Sequence, residues 1–465
     1  MNRIKYFWDL SACTSYQSHW VDQFASGITT GGGYFKWIVA NNAAITNIPG
    51  IRIKPTGTTA GYWLRDIVDG IHVDWCGATH TNHTITSLSI NQATANIYWG
   101  SGVTTVATDT PDRAAFMAAV DAAVTLGNHK IVFNGGTYYV NDTLQLDKQV
   151  ADYDYFWEIE GNSSKLITTN NNAFSILSSE LPSDESEAQS MASGRYTVRN
   201  FDIIAGSAQI GLDFGPSYSS RYENIHVEAG DIGLRLRFNL GAKIENFRTT
   251  DCAYGVRLES GENTYTAVEY WTSATTGTSQ CNHTSLNACR FYHNTTGTIG
   301  VDIRDASGVN ITNTIFEGSR WAKAVSLYSE LTTVYTMYLH NIHYECNSGT
   351  LDAGNSQAMV YIRARGGTFR ISAAYGQHPS VLCDSGVSTG PAQVTIITEL
   401  LHWWIPDSNG DMYYNAGNTS YVWLNNDNSM LTGAAWAAAV AGTAVSLCGG
   451  AGCGNNKYYI YAIPR

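Results

Sequence analysis

The chain has 465 residues and carries 27 Lys and Arg against 39 Asp and Glu, a formal net charge of −12 at pH 7. That balance argues against a nucleic-acid partner, whose phosphates demand basic surface, and no run of 18 or more apolar residues offers a membrane insertion. Charged residues make up only 14% while 44 glycines are present, so turns and β-surface replace charged helices.

The opening Met-Asn-Arg-Ile-Lys-Tyr-Phe-Trp reaches Asp9 too soon for an export signal, and a soluble protein is expected. Residues 1–105 read as a β-rich segment with short aromatic strands, among them Gly31-Gly-Gly-Tyr-Phe-Lys-Trp, Gly61-Tyr-Trp-Leu-Arg and His72-Val-Asp-Trp-Cys-Gly-Ala. A helix follows, with Thr110 as N-cap, Pro111 in its first position, an Ala-rich body from Asp112 to Leu126 and Gly127 as its stop. Phe116, Val120, Ala123 and Val124 form its apolar stripe. Strand-like runs at Lys130, Gly135 and Thr143 come next, so the helix is expected to cap the open end of a repeat structure.

Two refrains then recur out of phase. The first is Gly211-Leu-Asp-Phe, Gly233-Leu-Arg-Leu, Gly255-Val-Arg-Leu, Gly300-Val-Asp-Ile and Ala324-Val-Ser-Leu, with steps of 22, 22, 45 and 24 residues. The second is Val198-Arg-Asn-Phe, Tyr222-Glu-Asn-Ile, Ile244-Glu-Asn-Phe, Ile311-Thr-Asn-Thr and Leu339-His-Asn-Ile. Alternating apolar residues at a fixed period mean stacked strands, not helical repeats, which would show apolar spacings of three and four. The expected fold is all-β, a parallel β-helix over residues 106–380 whose coils lie about 4.8 Å apart.

After about residue 345 the rhythm loosens. Tyr361-Ile-Arg-Ala and Thr368-Phe-Arg-Ile read as a last coil, and residues 381–465 as a C-terminal β-domain containing an Ala-rich stretch at Ala434 to Ala441. The nine cysteines make no Cys-x-x-Cys, so they are expected to be small buried residues, not zinc ligands. No metal and no cofactor is expected.

The run from Asp109-Thr-Pro-Asp-Arg-Ala-Ala-Phe-Met-Ala-Ala-Val-Asp-Ala-Ala to Ile131-Val-Phe-Asn-Gly-Gly-Thr-Tyr-Tyr-Val, with the Gly- and Trp-rich segments before it, resembles the start of the pectate-lyase-like β-helix of bacteriophage tailspikes. The resemblance covers about residues 30 to 345 and departs at Asn134, where the family has Pro. It implies a right-handed parallel β-helix and a homotrimer held partly by the C-terminal domain. It further implies a place on the virion, attached to phage tail or baseplate proteins through the N-terminus. The implied activity is cleavage of a bacterial surface polysaccharide, by hydrolysis or β-elimination. Catalytic residues vary within the family, so none is implied by motif.

Hydrolysis needs two carboxyl groups flanking one glycosidic bond. In register, the second refrain stacks Glu228, Thr250, Tyr292, Glu317 and Glu345, which puts Glu317 and Glu345 on adjacent rungs. No cation is read between them, so repulsion should leave one protonated as an acid. The first refrain stacks Asp213, Arg235, Arg257, Asp302 and Ser326 on one rung, and Gly215, Arg237, Glu259, Arg304 and Tyr328 on the next. Asp302 and Asp305 are a second candidate acid pair, with Arg304 and Arg290 as structural partners; arginine rungs either grip an anionic sugar or neutralise the stack. Every such acid can equally be a solvated or ladder-paired residue.

The long step between Gly255 and Gly300 contains Tyr265, Tyr270 and Trp271, which are candidate sugar platforms or packing residues of an extra coil; Trp321 is another such candidate. A lyase would use Tyr292 or His293 as base beside Arg290. A non-cleaving adhesin would keep the aromatic groove but pair Glu317 and Glu345 with arginine.

Overall fold

The computed structural model describes residues 2–13, 17–57, 59–100, 103–146, 156–180, 194–259, 281–293, 298–304, 306–318, 321–329, 336–346, 358–364, 366–377, 381–383, 393–399, 402–404 and 457–462. Two compact units emerge, residues 1–180 with 196–211, and residues 181–195 with 212–465.

The first unit begins with a five-stranded sheet formed by Asn2–Tyr6, His19–Gln23, Gly33–Val39, Gly61–Arg65 and Arg52–Ile53, antiparallel except for its first pair. Arg65 is buried at its edge, where it donates to the carbonyls of Gly31, Gly32 and Gly50 and lies between the rings of Phe35 and Trp75. Burial pushes its pKa down to about 9. Between this sheet and the capping helix, where no helix was expected, the structure has Gln92–Trp99, capped by Asn91.

The helix Pro111–Leu126 is built as the sequence indicates. Thr110 Oγ1 accepts from the Arg113 amide, and Gly127 closes the helix in the left-handed region at φ 64°. Phe116, Val120 and Ala123 are fully buried. Asp112 reaches back from the first turn to accept from the amides of Thr79, His80 and Tyr139, tying the helix to the strand Thr137–Val140. That strand pairs in parallel with Phe156–Thr168.

The second unit is a parallel β-helix. One sheet stacks the first refrain through Ile210–Phe214, Ile232–Arg237, Tyr254–Glu259, Thr298–Arg304, Trp321–Ser329, Ala358–Ala364 and Val381–Cys383. The other stacks the second refrain from Arg221–Glu228 through Val309–Gly318, Thr336–Cys346 and Gly366–Gln377. The ladder does not stop near residue 380. Gln393–Glu399 pairs in parallel with Gly366–Gln377, and Lys457–Ala462 pairs with Gln393–Glu399, so strands assigned by sequence to a separate C-terminal domain extend the same sheet. The Ala434 to Ala441 stretch lies outside the described residues.

The asparagine of the second refrain is not part of a straight strand. Asn224, Asn246, Asn313 and Asn341 take φ between 49° and 55°, the left-handed region asparagine tolerates best after glycine, and each bends its coil. The bends stack: Asn246 Nδ2 donates to Asn224 Oδ1 at 2.8 Å, and Asn341 Nδ2 donates to Asn313 Oδ1 at 2.8 Å. The glycines of the first refrain serve closeness instead. A Cβ on Gly255 would collide with the Phe291 ring and the Gly300 carbonyl, and one on Gly300 with Phe316 and the Ala324 carbonyl. Cys76, Cys252, Cys281 and Cys289 are buried, with burial pushing each thiol up to about 12.

Candidate functional site

The second-refrain ladder keeps the expected register. Glu228 faces Thr250, Thr250 faces Tyr292, Tyr292 faces Glu317, and Glu317 faces Glu345. One position earlier, Val227, Thr249, Phe291, Phe316 and Tyr344 turn inward and are buried, with the rings of Phe291 and Phe316 stacked at 5.1 Å. Strand alternation on this packed row aims the two glutamates outward.

At the last step the acids converge. One oxygen of Glu317, one of Glu345 and one ring nitrogen of His343 all lie within 4.8 Å of one another. His343 Nε2 is 3.4 Å from Glu345 Oε2. The three side chains are 26%, 38% and 23% exposed, so the cluster is open to solvent yet held by its coils. Among the described residues this is the one set able to hold a metal ion, through two carboxylates and an imidazole.

A cation does stand at this pair, contrary to the expectation from sequence. Arg290 donates to Glu317 Oε2 from Nη2 at 2.6 Å and from Nε at 3.1 Å. Arg290 faces Ile315, two residues before Glu317, so its long side chain reaches the acid diagonally and relieves the like-charge contact along the ladder. It is thus the partner of Glu317, while Asp302 is met by Arg257 and Arg304.

The first-refrain rungs also keep their expected register: Arg235, Arg257, Asp302 and Ser326 on one, Arg237, Glu259, Arg304 and Tyr328 on the next. They form a buried ion-pair network. Asp213 accepts from Arg235 at 3.0 and 2.6 Å and from Arg237 at 3.1 and 2.9 Å. Asp302, 2% exposed, accepts from Arg257 Nε at 3.1 Å and Arg304 Nε at 2.9 Å. Each of these carboxylates is held by two guanidiniums as an acceptor within the stack. Of the two roles open to these arginine rungs, neutralising the stack is the one seen for Asp213 and Asp302, and it occupies Arg304 as well.

Glu228 stands on the same ladder as the acid pair, with Thr250 and Tyr292 between. Trp321 begins a strand of the other sheet, opposite Thr298. Tyr265, Tyr270, Trp271 and Asp305 lie outside the described residues. Of the two bases considered for elimination, His293 is buried at 2% exposure, which pushes its imidazole pKa down, and its Nδ1 lies 3.4 Å from Asp251; Tyr292 is half-buried beside Glu317. From sequence, His226, His283, His293, His340 and His343 are numerous enough to raise metal binding but show no carboxylate motif of metal spacing; in the structure His343 joins Glu317 and Glu345. Its spacing of two from Glu345 on an outward row was the signal that joins it to the site.

By sequence the chain matches no protein-family model, and a search of the curated proteins finds no relative. Solved structures do match. The gp42 tailspike of Acinetobacter phage vb_AbaP_AS12 aligns with a TM-score of 0.52 at 12% identity, over 92% of this chain and 75% of that one. The Acinetobacter baumannii phage AM24 tailspike gives 0.48 at 11% identity, over 86% and 64%. The enzymatically active domain of bacteriophage CBA120 tailspike protein 4 gives 0.47 at 14%, over 86% and 49%. The chain therefore spans about half to two thirds of the length of these last two. At such identities the likeness is one of architecture: this chain has the parallel β-helix fold on which phage tailspikes are built.

Proposed function

We propose that the protein is a tailspike depolymerase that binds a bacterial surface polysaccharide and hydrolyses its glycosidic bonds with Glu317 and Glu345. The observation that carries this reading is the approach of the two carboxylates to within 4.8 Å on an open face. Inverting glycosidases hold their carboxyl groups about 6.5–9.5 Å apart to fit a water, and retaining ones about 5–5.5 Å. Nearest oxygens within 4.8 Å of each other suit the shorter spacing, which supports retention of configuration. Arg290 fixes Glu317 as the nucleophile that attacks the anomeric carbon. Glu345 gives its proton to the leaving oxygen and then takes one from the water that releases the sugar, and His343 holds it in place. Likeness to a tailspike supports the remainder: a homotrimer on the virion, joined to phage tail or baseplate proteins through its N-terminus and acting at the host surface.

The test is incubation with capsular polysaccharides from candidate hosts, followed by mass and ultraviolet analysis of the fragments. Saturated fragments with retained anomers are expected. The absorbance of an unsaturated uronate would instead establish β-elimination, with Tyr292 beside Arg290 as the base to test.

One observation favours a second reading. Arginine pairing at the acid pair is what a non-cleaving adhesin would show, and Arg290 provides it for Glu317. Polymer that is bound but left at full length by the protein would establish the adhesin.

A further inference from the structure

The strand that ends in His343 and Glu345 carries a second outward cluster before its bend at Asn341. The rings of Tyr338 and His340 stack, with centroids 5.8 Å apart and planes 7° from parallel. The following coil places Arg370 opposite Tyr338 and Ser372 opposite His340. Ser372 Oγ lies 2.9 Å from His340 Nδ1 and donates to the Tyr338 hydroxyl at 3.3 Å, which fixes both rings from behind. The Arg370 guanidinium stands over the Tyr338 ring, 5.9 Å from its centroid. Met337, Leu339, Phe369 and Ile371, all buried, anchor the two strands beneath. A polar-rimmed aromatic pair held this firmly costs little entropy when it binds.

We propose that Tyr338, His340, Ser372 and Arg370 form a subsite for an acidic sugar residue of the polymer. This rests on the reading that the protein engages a polysaccharide. The apolar C–H side of the sugar packs against the stacked pair, the exposed edge of His340 meets a hydroxyl, and Arg370 takes the carboxylate in a forked pair. Arg370 is the cation of this cluster, so the anionic group of the sugar is read on its side. His340 is five residues from Glu345, at most about 16 Å along an extended strand and less across the bend, a separation bridged by a few sugar units of one chain. The assigned substrate class is therefore an acidic polysaccharide.

Affinity electrophoresis in gels cast with the capsular polysaccharide engaged in the host screen, before and after chemical reduction of its carboxyl groups, separates this inference from the hydrolase reading. In a Glu317→Gln background, which removes cleavage, Tyr338→Ala and Arg370→Gln should each weaken binding about tenfold, while Tyr338→Phe retains it because the ring remains. Carboxyl reduction should weaken the parent as much as Arg370→Gln does and leave the Arg370→Gln variant unchanged. Loss of binding in Tyr338→Ala with no cleavage by the parent keeps the subsite and removes the hydrolase. Cleavage by the parent with undiminished binding by both Tyr338→Ala and Arg370→Gln removes the subsite. Equal retardation by the native and carboxyl-reduced polymer overturns the acidic assignment.

Discussion

His80 Nε2 stands 3.0 Å from Asp74 Oδ1, and this pair links the segment before the capping helix to the strand Thr137–Val140, where Tyr138 donates to the same oxygen at 2.7 Å. Its hydrogen bond to Asp74 raises the His80 pKa above the usual imidazole value, with Asp112 adding to the effect. Burial alone would raise the Asp74 carboxyl, but hydrogen bonds from His80 and Tyr138 hold it below the usual carboxylate range.

The pH dependence follows in sign. A raised histidine contributes its stability in full below about pH 6.5 and loses it as pH rises through the raised value; a depressed aspartate contributes above about pH 3.9 and loses it as pH falls through the depressed value. The clamp is therefore strongest near pH 5. His80→Gln should lower the thermal midpoint there by about 2–4 °C, and the gap to the parent should narrow toward pH 9. A gap that is constant across this range would show that the charge of His80 does not matter.

Asp213→Ala should destabilise the second unit by about 3 kcal/mol, because it leaves the guanidiniums of Arg235 and Arg237 without the carboxylate that both grip. Adding Arg237→Met should recover part of the loss, since a buried cation is then replaced by an apolar side chain of similar length. Denaturant unfolding of the three proteins measures both effects.

Two glycine substitutions should separate crowding from backbone strain. Gly255→Ala drives a methyl into the Phe291 ring and the Gly300 carbonyl, neither of which can retreat between stacked coils, and should cost about 1–3 kcal/mol or block folding. Gly57, at φ +80° with nothing near its virtual Cβ, should lose only about 1 kcal/mol to the left-handed backbone. Thermal midpoints compare the pair.

Glu317→Gln and Glu345→Gln should each lower kcat by about 10²–10⁴-fold with little change in KM or in thermal midpoint. Chelator should leave the parent rate unchanged, because the proposed step uses the carboxylates themselves. Cleavage by both variants at the parent rate would remove the acid pair, and loss of activity in chelator would point to a metal on Glu317, His343 and Glu345.

The alternation and period of the refrains made the scaffold legible, down to which residue faces which: Glu317 opposite Glu345 and Arg257 opposite Asp302 both follow from counting rungs. Diagonal reach was not legible. Counting rungs places Cα atoms, but the side chain of Arg290 spans to a neighbouring row, and only coordinates show which acid it meets. Burial of the first-refrain rungs was missed for a related reason. Alternation tells inward from outward but not how wet an outward rung is, and Asp213, Arg237, Glu259 and Asp302 are 5% exposed or less. The bends were not read either: the Asn of each second refrain served only to mark the repeat, although its tolerance for positive φ is what turns the chain.

Those bends also bear on how such a protein changes over time. Each coil carries its own turning residue and meets its neighbours through the same backbone ladder, so a whole coil can be duplicated or lost without re-specifying the rest. A pair of acids on adjacent coils is then a movable unit: one inserted coil would separate Glu317 from Glu345 by a further rung and exchange the spacing suited to retention for one wide enough to admit water. On the proposed hydrolase reading, the count of coils between the two acids sets the stereochemical outcome.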